Sequence, residues 1–179
     1  DKGFIFSGMQ YDNSYHPIAW IQKTDVNGIV LWQKYFGLPQ KYFNFFGSDR
    51  TSDGGTISIG MTDIIQLTCQ DPFIVKSNSC GEKEWCRIYN ANGCNAVGRD
   101  IEVTLDGYMA LIDGWKSGEE QAIWLFRLDS LGEVMWAQVY ATDPTWNSEV
   151  SHSLLKTSDS YIITGEAYYP DPTYPSLKI

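Results

Sequence analysis

Landmarks recur along this chain about every 53 residues, and a chain built that way buries itself by stacking like units rather than by collapsing around one centre. Thr51, Thr104 and Thr157 each stand two residues before an aspartate (Asp53, Asp106, Asp159), and Asp1 falls 52 residues before Asp53 in the same phase. Gly28, Gly81 and Gly132 keep step at intervals of 53 and 51, each followed four residues later by a tryptophan: Trp32, Trp85 and Trp136. Eight residues before each glycine sits another ring, Trp20, Phe73 or Trp124.

Each unit reads as four short strands. In the second repeat Asp53-Gly54-Gly55 signals a tight turn, because glycine tolerates the positive φ that short hairpin loops demand, and an alternating TISIG follows. Phe73 to Ser77, a turn over Asn78 to Gly81, and Glu82 to Tyr89 then form a hairpin that reappears in the first and third repeats. Asp25, Asn78 and Asp129 open these turns, where an Asp or Asn side chain accepts turn amides, and glycine closes them. A further strand precedes each T-x-D, around residues 45–51, 100–104 and 150–157. No window places apolar residues at helical spacing, whereas β-branched and aromatic residues fill the strands. The expected fold is therefore all-β: a β-propeller segment of four-stranded antiparallel blades, with units at about 1–40, 41–92, 93–145 and 146–179. About 3.4 such units are fewer than a closed ring needs, so the expectation is a piece of a larger propeller.

The pattern T-x-D-G-G-x-I-x-x-G followed by [WF]-[IL]-x-[KR]-x-[DN]-x-x-G-x-x-x-W resembles the propeller repeats of secreted and cell-surface proteins of bacteria and archaea, including those exported by gliding Bacteroidetes. More loosely, it is similar to the tryptophan-docking motif of quinoprotein (PQQ-type) propellers. The likeness implies a scaffold on the outside of a cell. In the quinoprotein enzymes, the cofactor pocket and catalytic carboxylate lie outside the docking motif.

A side chain that occurs once per unit does the same geometric job in each, so Trp32, Trp85 and Trp136 are expected to pack between sheets. Lys23, Lys76 and Arg127 also recur, and are expected to lay their stems across apolar sheet with their heads in water. Function should lie where the units differ. In a four-stranded meander the loop after the second strand and the connection after the fourth leave on one face, and the variable segments fall there. Tyr11, Tyr15, Trp115, Trp146, Tyr168 and Tyr169 are the candidates for an aromatic platform that stacks on sugar faces or anchors a protein partner.

All four cysteines, Cys69, Cys80, Cys86 and Cys94, fall in one repeat. Their spacings lack the short C-x-x-C knuckle of a zinc site, so disulfides in an oxidising compartment are the expectation, with Cys69–Cys94 the preferred pair and Cys86 facing Phe73. A formal charge of -9 opposes nucleic-acid binding, and no run of 18 apolar residues suggests a membrane span. His16 and His152 are isolated and no nucleophile motif occurs, so neither enzyme activity, a cofactor nor a metal is expected. The function expected is a non-enzymatic extracellular binding or scaffold module, its partners a protein or surface glycan together with the remaining blades or neighbouring chains. Two alternatives stand beside it: a carbohydrate-active or quinone-dependent propeller enzyme with catalytic residues partly outside this chain, and a structural subunit of a surface assembly or filament.

Overall fold

The computed structural model describes residues 3–13, 15–63, 70–89, 95–115, 121–140 and 148–168, with the backbone alone at 115, 121, 148, 149, 167 and 168. Among these residues there is no helix, and thirteen strands pair antiparallel throughout in four sheets. The first sheet holds β1 (Ile5–Tyr11), β2 (Pro17–Thr24) and β3 (Val30–Phe36). The second runs through β4 (Phe43–Arg50), β5 (Thr56–Thr62), β6 (Asp71–Ser77) and β7 (Lys83–Ile88). The third comprises β8 (Asn95–Val103), β9 (Gly107–Trp115), β10 (Gln121–Asp129) and β11 (Val134–Tyr140), and the fourth β12 (Ser148–Lys156) and β13 (Tyr161–Tyr168). The all-β class expected from the alternating patterns is what forms.

The turns form as the local chemistry dictates. Asp25 Oδ1 accepts the amides of Asn27 and Ile29, Asn78 Oδ1 those of Cys80 and Glu82, and Asp129 Oδ1 those of Leu131 and Glu133, all at 2.8–3.0 Å. The closing glycines, Gly28, Gly81 and Gly132, sit at φ of 83°, 77° and 78°, a region costly for any residue with a Cβ.

Hydrophobic packing fills each gap between successive sheets. Because side chains alternate along a strand, the second sheet serves two gaps: Phe43, Phe45, Phe73 and Val75 pack against Ala19 and Ile21 of the first sheet, while Ile57, Ile59 and Ile74 pack against Ile101, Ala110 and Ile112 of the third. Phe45 stacks on Phe73 at 4.9 Å between centroids and Phe43 meets it edge-on at 5.2 Å. Met109, Leu111 and Leu125 pack on Leu154 in the last gap. First strands of neighbouring sheets touch directly. Val103 N donates to Asp49 Oδ2 at 2.8 Å and Lys156 N to Glu102 Oε1 at 3.4 Å, both across 54 residues and at equivalent strand positions, so one joint is built twice; Leu154 N also donates to Asp100 Oδ2 at 2.8 Å, two residues earlier.

Two of the recurrent tryptophans, Trp32 and Trp85, also join sheets, and both have a defined landing place. A Cβ placed on Gly81 would lie 2.8 Å from Trp32, and one on Gly132 would lie 2.9 Å from Trp85. Each indole thus lies flush on the turn glycine of the following sheet, where no other residue leaves room. Trp32 Nε1 donates to Ser79 O at 3.0 Å, and Tyr89 OH donates to Gly132 O at 2.8 Å, pinning the contacts laterally. Lys34 and Arg87 flank the two glycines, and Arg87 pairs with Glu133 at 2.7 Å. Trp136 has no such seat among the described residues and is 45% exposed.

The recurrent cations differ from expectation. Lys76 is 5% exposed and its Nζ meets Asp53 Oδ2 at 2.8 Å and Glu84 Oε2 at 2.7 Å; Arg127 hydrogen-bonds Asp106, Thr104 Oγ1 and two main-chain carbonyls. Their heads are held by the T-x-D turn instead of lying in water. The turn supplies a fixed carboxylate within reach of the neighbouring hairpin, and this interaction satisfies the buried ammonium or guanidinium.

Candidate functional site

Strand register shows which residues of different sheets are equivalent. Gly8 faces Trp20, Gly60 faces Phe73 and Ile112 faces Trp124; on the other side Gly60 faces Phe45, Ile112 faces Gly98 and Gly165 faces Ser151. Three residues further along each second strand lie Tyr11, Asp63, Trp115 and Tyr168. Three of the six platform candidates therefore occupy one station, at the end where the variable loops leave. Tyr42 N donates to Asp63 Oδ1 at 2.8 Å and Gln70 N to Asn95 Oδ1 at 3.0 Å, so the loop after the second strand and the connection after the fourth do share this face.

Tyr11 is 59% and Tyr15 85% exposed, and both flank a turn organised by Asp12, whose Oδ1 accepts His16 N at 2.9 Å and whose carbonyl accepts Tyr15 N at 3.0 Å. That turn holds Tyr15 at φ 61°, a conformation unusual for a residue with a side chain, and leaves its ring to solvent. Tyr42 lies within electrostatic reach of Tyr11, and burial pushes its hydroxyl above the ordinary phenol range. Trp146 and Tyr169 lie outside the described residues, as do the side chains of Trp115 and Tyr168.

Beneath this rim, the first strands carry a second station that the repeat pattern does not disclose. The register slips at equivalent places in β4, β8 and β12, leaving Phe46, Arg99 and His152 as bulge residues. The second strand of the same sheet places Met61, Asp113 or Glu166 one residue beyond the facing position. Arg99 Nε meets Asp113 Oδ2 at 2.7 Å, and His152 Nε2 stands 3.7 Å from Glu166 Oε1, so the same station holds an ion pair in one sheet and a titratable pair in the next. The Arg99 guanidinium also lies 5.5 Å from the Phe46 ring, linking neighbouring stations. Asp113 is 2% exposed and accepts Ser151 N and Ser151 Oγ as well, which ties the third sheet to the fourth.

At the opposite, tight-turn end, a groove of about 400 Å³ runs between the second and third sheets, lined by Asp53, Lys76, Glu84, Trp85, Asp106 and Tyr108 among others. Hydrogen bonds from Lys76 and then Thr51 hold the Asp53 carboxyl down at about 2, against an ordinary 3.8. A carboxylate with a depressed folded-state pKa contributes stability above its unfolded value, and that contribution is lost as pH falls through 3.8 towards 2. Discounted for the exposure of Asp53, the pair is worth about 1 kcal/mol. Asp53→Asn should therefore cost about that much at pH 6 and well under half of it at pH 2 in urea unfolding, since the wild-type carboxyl is by then about half protonated. A gap between the two proteins that persists undiminished at pH 2 would contradict this assignment.

The cysteine expectations need correction. Cys80 and Cys86 are free thiols, and among the described residues there is no disulfide. Cys86 stands opposite Val75, and Phe73 faces Ile88, because the turn pairs Ser77 with Lys83 and a bulge follows between Lys76 and Ser77. Cys69 and Cys94 lie outside the described residues. Among the described residues no cluster of three or more His, Cys, Asp or Glu side chains is placed to hold a metal, and no helix is long and apolar enough to cross a membrane.

Compared with known proteins, the chain matches no family model, and no curated protein matches it either.

Proposed function

We propose that this chain is a run of β-propeller blades acting as a non-enzymatic binding or scaffold module outside the cell, with recognition on the rim where the variable loops leave. The arrangement is supported by joints that repeat between sheets: the carboxylate-to-amide bonds Asp49–Val103 and Glu102–Lys156, each 54 residues apart, and the indole-on-glycine contacts. Contacts that recur with the sequence period are what radial stacking of equivalent sheets produces.

The observation that carries the binding reading is the rim station, where a constant backbone position bears Tyr11, Asp63, Trp115 and Tyr168 in turn. Scaffold positions keep their chemistry from unit to unit, and this one does not. Exposed rings beside carboxylates and amides suit a sugar face or an apolar anchor of a protein. Screening against an oligosaccharide array and against cell-surface extracts should yield a binder, and Tyr11→Ala with Tyr15→Ala should weaken it at least about tenfold while leaving the unfolding midpoint unchanged. Binding that survives both changes would place recognition elsewhere. No binder in either screen would remove the reading.

A further inference from the structure

We propose that the outward face of β11 and the free edge of β13 together receive a further β-hairpin of the chain's own third-and-fourth-strand type, a segment with the [DN]-x-x-G turn whose glycine seats beneath Trp136. The proposal rests on the docking seen inside the chain and not on any ligand at the rim. Twice the chain shows what covers a fourth strand. Trp32 lies on Gly81 and Trp85 on Gly132, and both glycines are buried by the contact. Where a following hairpin is present, the tryptophan is partly buried; β11, by contrast, is exposed along its whole length, with Val134, Met135, Trp136, Val139 and Tyr140 each at least 44% open.

The exposed set also repeats the chemistry of a docked one. β7 presents Trp85, and Tyr89, four residues on and just past the strand's end, donates its hydroxyl to the carbonyl of the seated Gly132. β11 presents Trp136 and, four residues on, Tyr140, the same indole and phenol at the same spacing. A glycine turn lying across β11 would meet an aromatic face and a donor already proven in this fold. Its strands also have a place to pair: among the described residues β13 bonds β12 alone, so its other edge offers unpaired main-chain groups to a third strand.

A second copy of this chain fits less well. Among the described residues its one [DN]-x-x-G turn glycine left open is Gly28, which has no atom within 4 Å of a built Cβ and belongs to the hairpin of β2 and β3. That hairpin arrives with β1 attached, and β1 and β13 are equivalent by register. Two strands would claim one position.

The test appends the sequence of residues 121–140 after Ile179, which supplies the hairpin at high effective concentration. The extended chain should melt on the order of 5 °C higher than the original, and amide exchange in β13 should slow at least about tenfold. Both gains should vanish with Trp136→Ala in the parent part. They should also vanish when the appended turn glycine is replaced by asparagine, which keeps the left-handed turn but puts a side chain where the indole must lie. In the unextended chain Trp136→Ala should leave the melting temperature within about 2 °C, which separates lost docking from lost folding. A gain that survives Trp136→Ala, or no gain at all, would overturn the proposal. Self-association of the unextended chain that slows β13 exchange and needs Trp136 would replace the hairpin with a second copy.

Discussion

Alanine at Gly81 should lower the unfolding free energy by about 3 kcal/mol, whereas alanine at Gly28 should cost only about 1 kcal/mol. The two glycines have nearly the same backbone, φ 77° and 83°, so the strain of carrying a Cβ in the left-handed region is common to both. They differ in what the Cβ meets. At Gly28 nothing lies within 4 Å, while at Gly81 the new methyl would stand 2.8 Å from two ring carbons of Trp32 and from Lys34 Cγ. The indole must lift, and with it goes its hydrogen bond to Ser79 O. The difference between the two variants, measured by urea unfolding, isolates the joint from the turn. Equal losses would mean that the tryptophan is a bystander.

Asp113→Ala should cost about 3 kcal/mol and loosen the fourth sheet before the others. The carboxylate is 2% exposed and satisfies Arg99 Nε, Ser151 N and Ser151 Oγ at once, and Ser151 is itself fully buried. Alanine leaves a main-chain donor without an acceptor and a guanidinium without its counter-ion. Hydrogen exchange at β12 should accelerate more than at β5, because only the joint to the fourth sheet is severed. The equivalent pair in the next sheet serves as the control. His152 and Glu166 are 56% and 50% exposed and 3.7 Å apart, so His152→Ala should change stability by no more than about 0.5 kcal/mol. Similar losses for the two would show that the buried station bears no special weight.

Local chemistry was legible in the sequence and geometry between units was not. Asp25, Asn78 and Asp129 could be assigned to their turns because an Asx side chain bonds amides two and four residues away, and the closing glycine follows from the same turn. The same glycine's second task, as a landing for the preceding unit's indole, is invisible in a single repeat, since its partner lies 49 residues back in one case and 47 in the other. The Lys76–Asp53 pair was missed for a related reason: both residues recur with the period, but each already had a sufficient local explanation. Bulges were hidden altogether. Phe46, Arg99 and His152 share no chemistry that would mark the slip, and the bulge beside Lys76 is what moved Cys86 away from Phe73. The rim candidates Tyr11, Trp115 and Tyr168 read from the sequence as aromatics of the variable loops, and their common station emerges only after register absorbs the residue missing after Asp106 and Asp159.

The indole-on-glycine joint has a polarity. Each of the hairpins β2–β3, β6–β7 and β10–β11 offers a ring on one flank and a turn glycine on the other, so two identical flanks cannot satisfy each other and a two-fold contact through this joint is forbidden. Addition through it proceeds head to tail only, because each added hairpin covers one ring and presents the next.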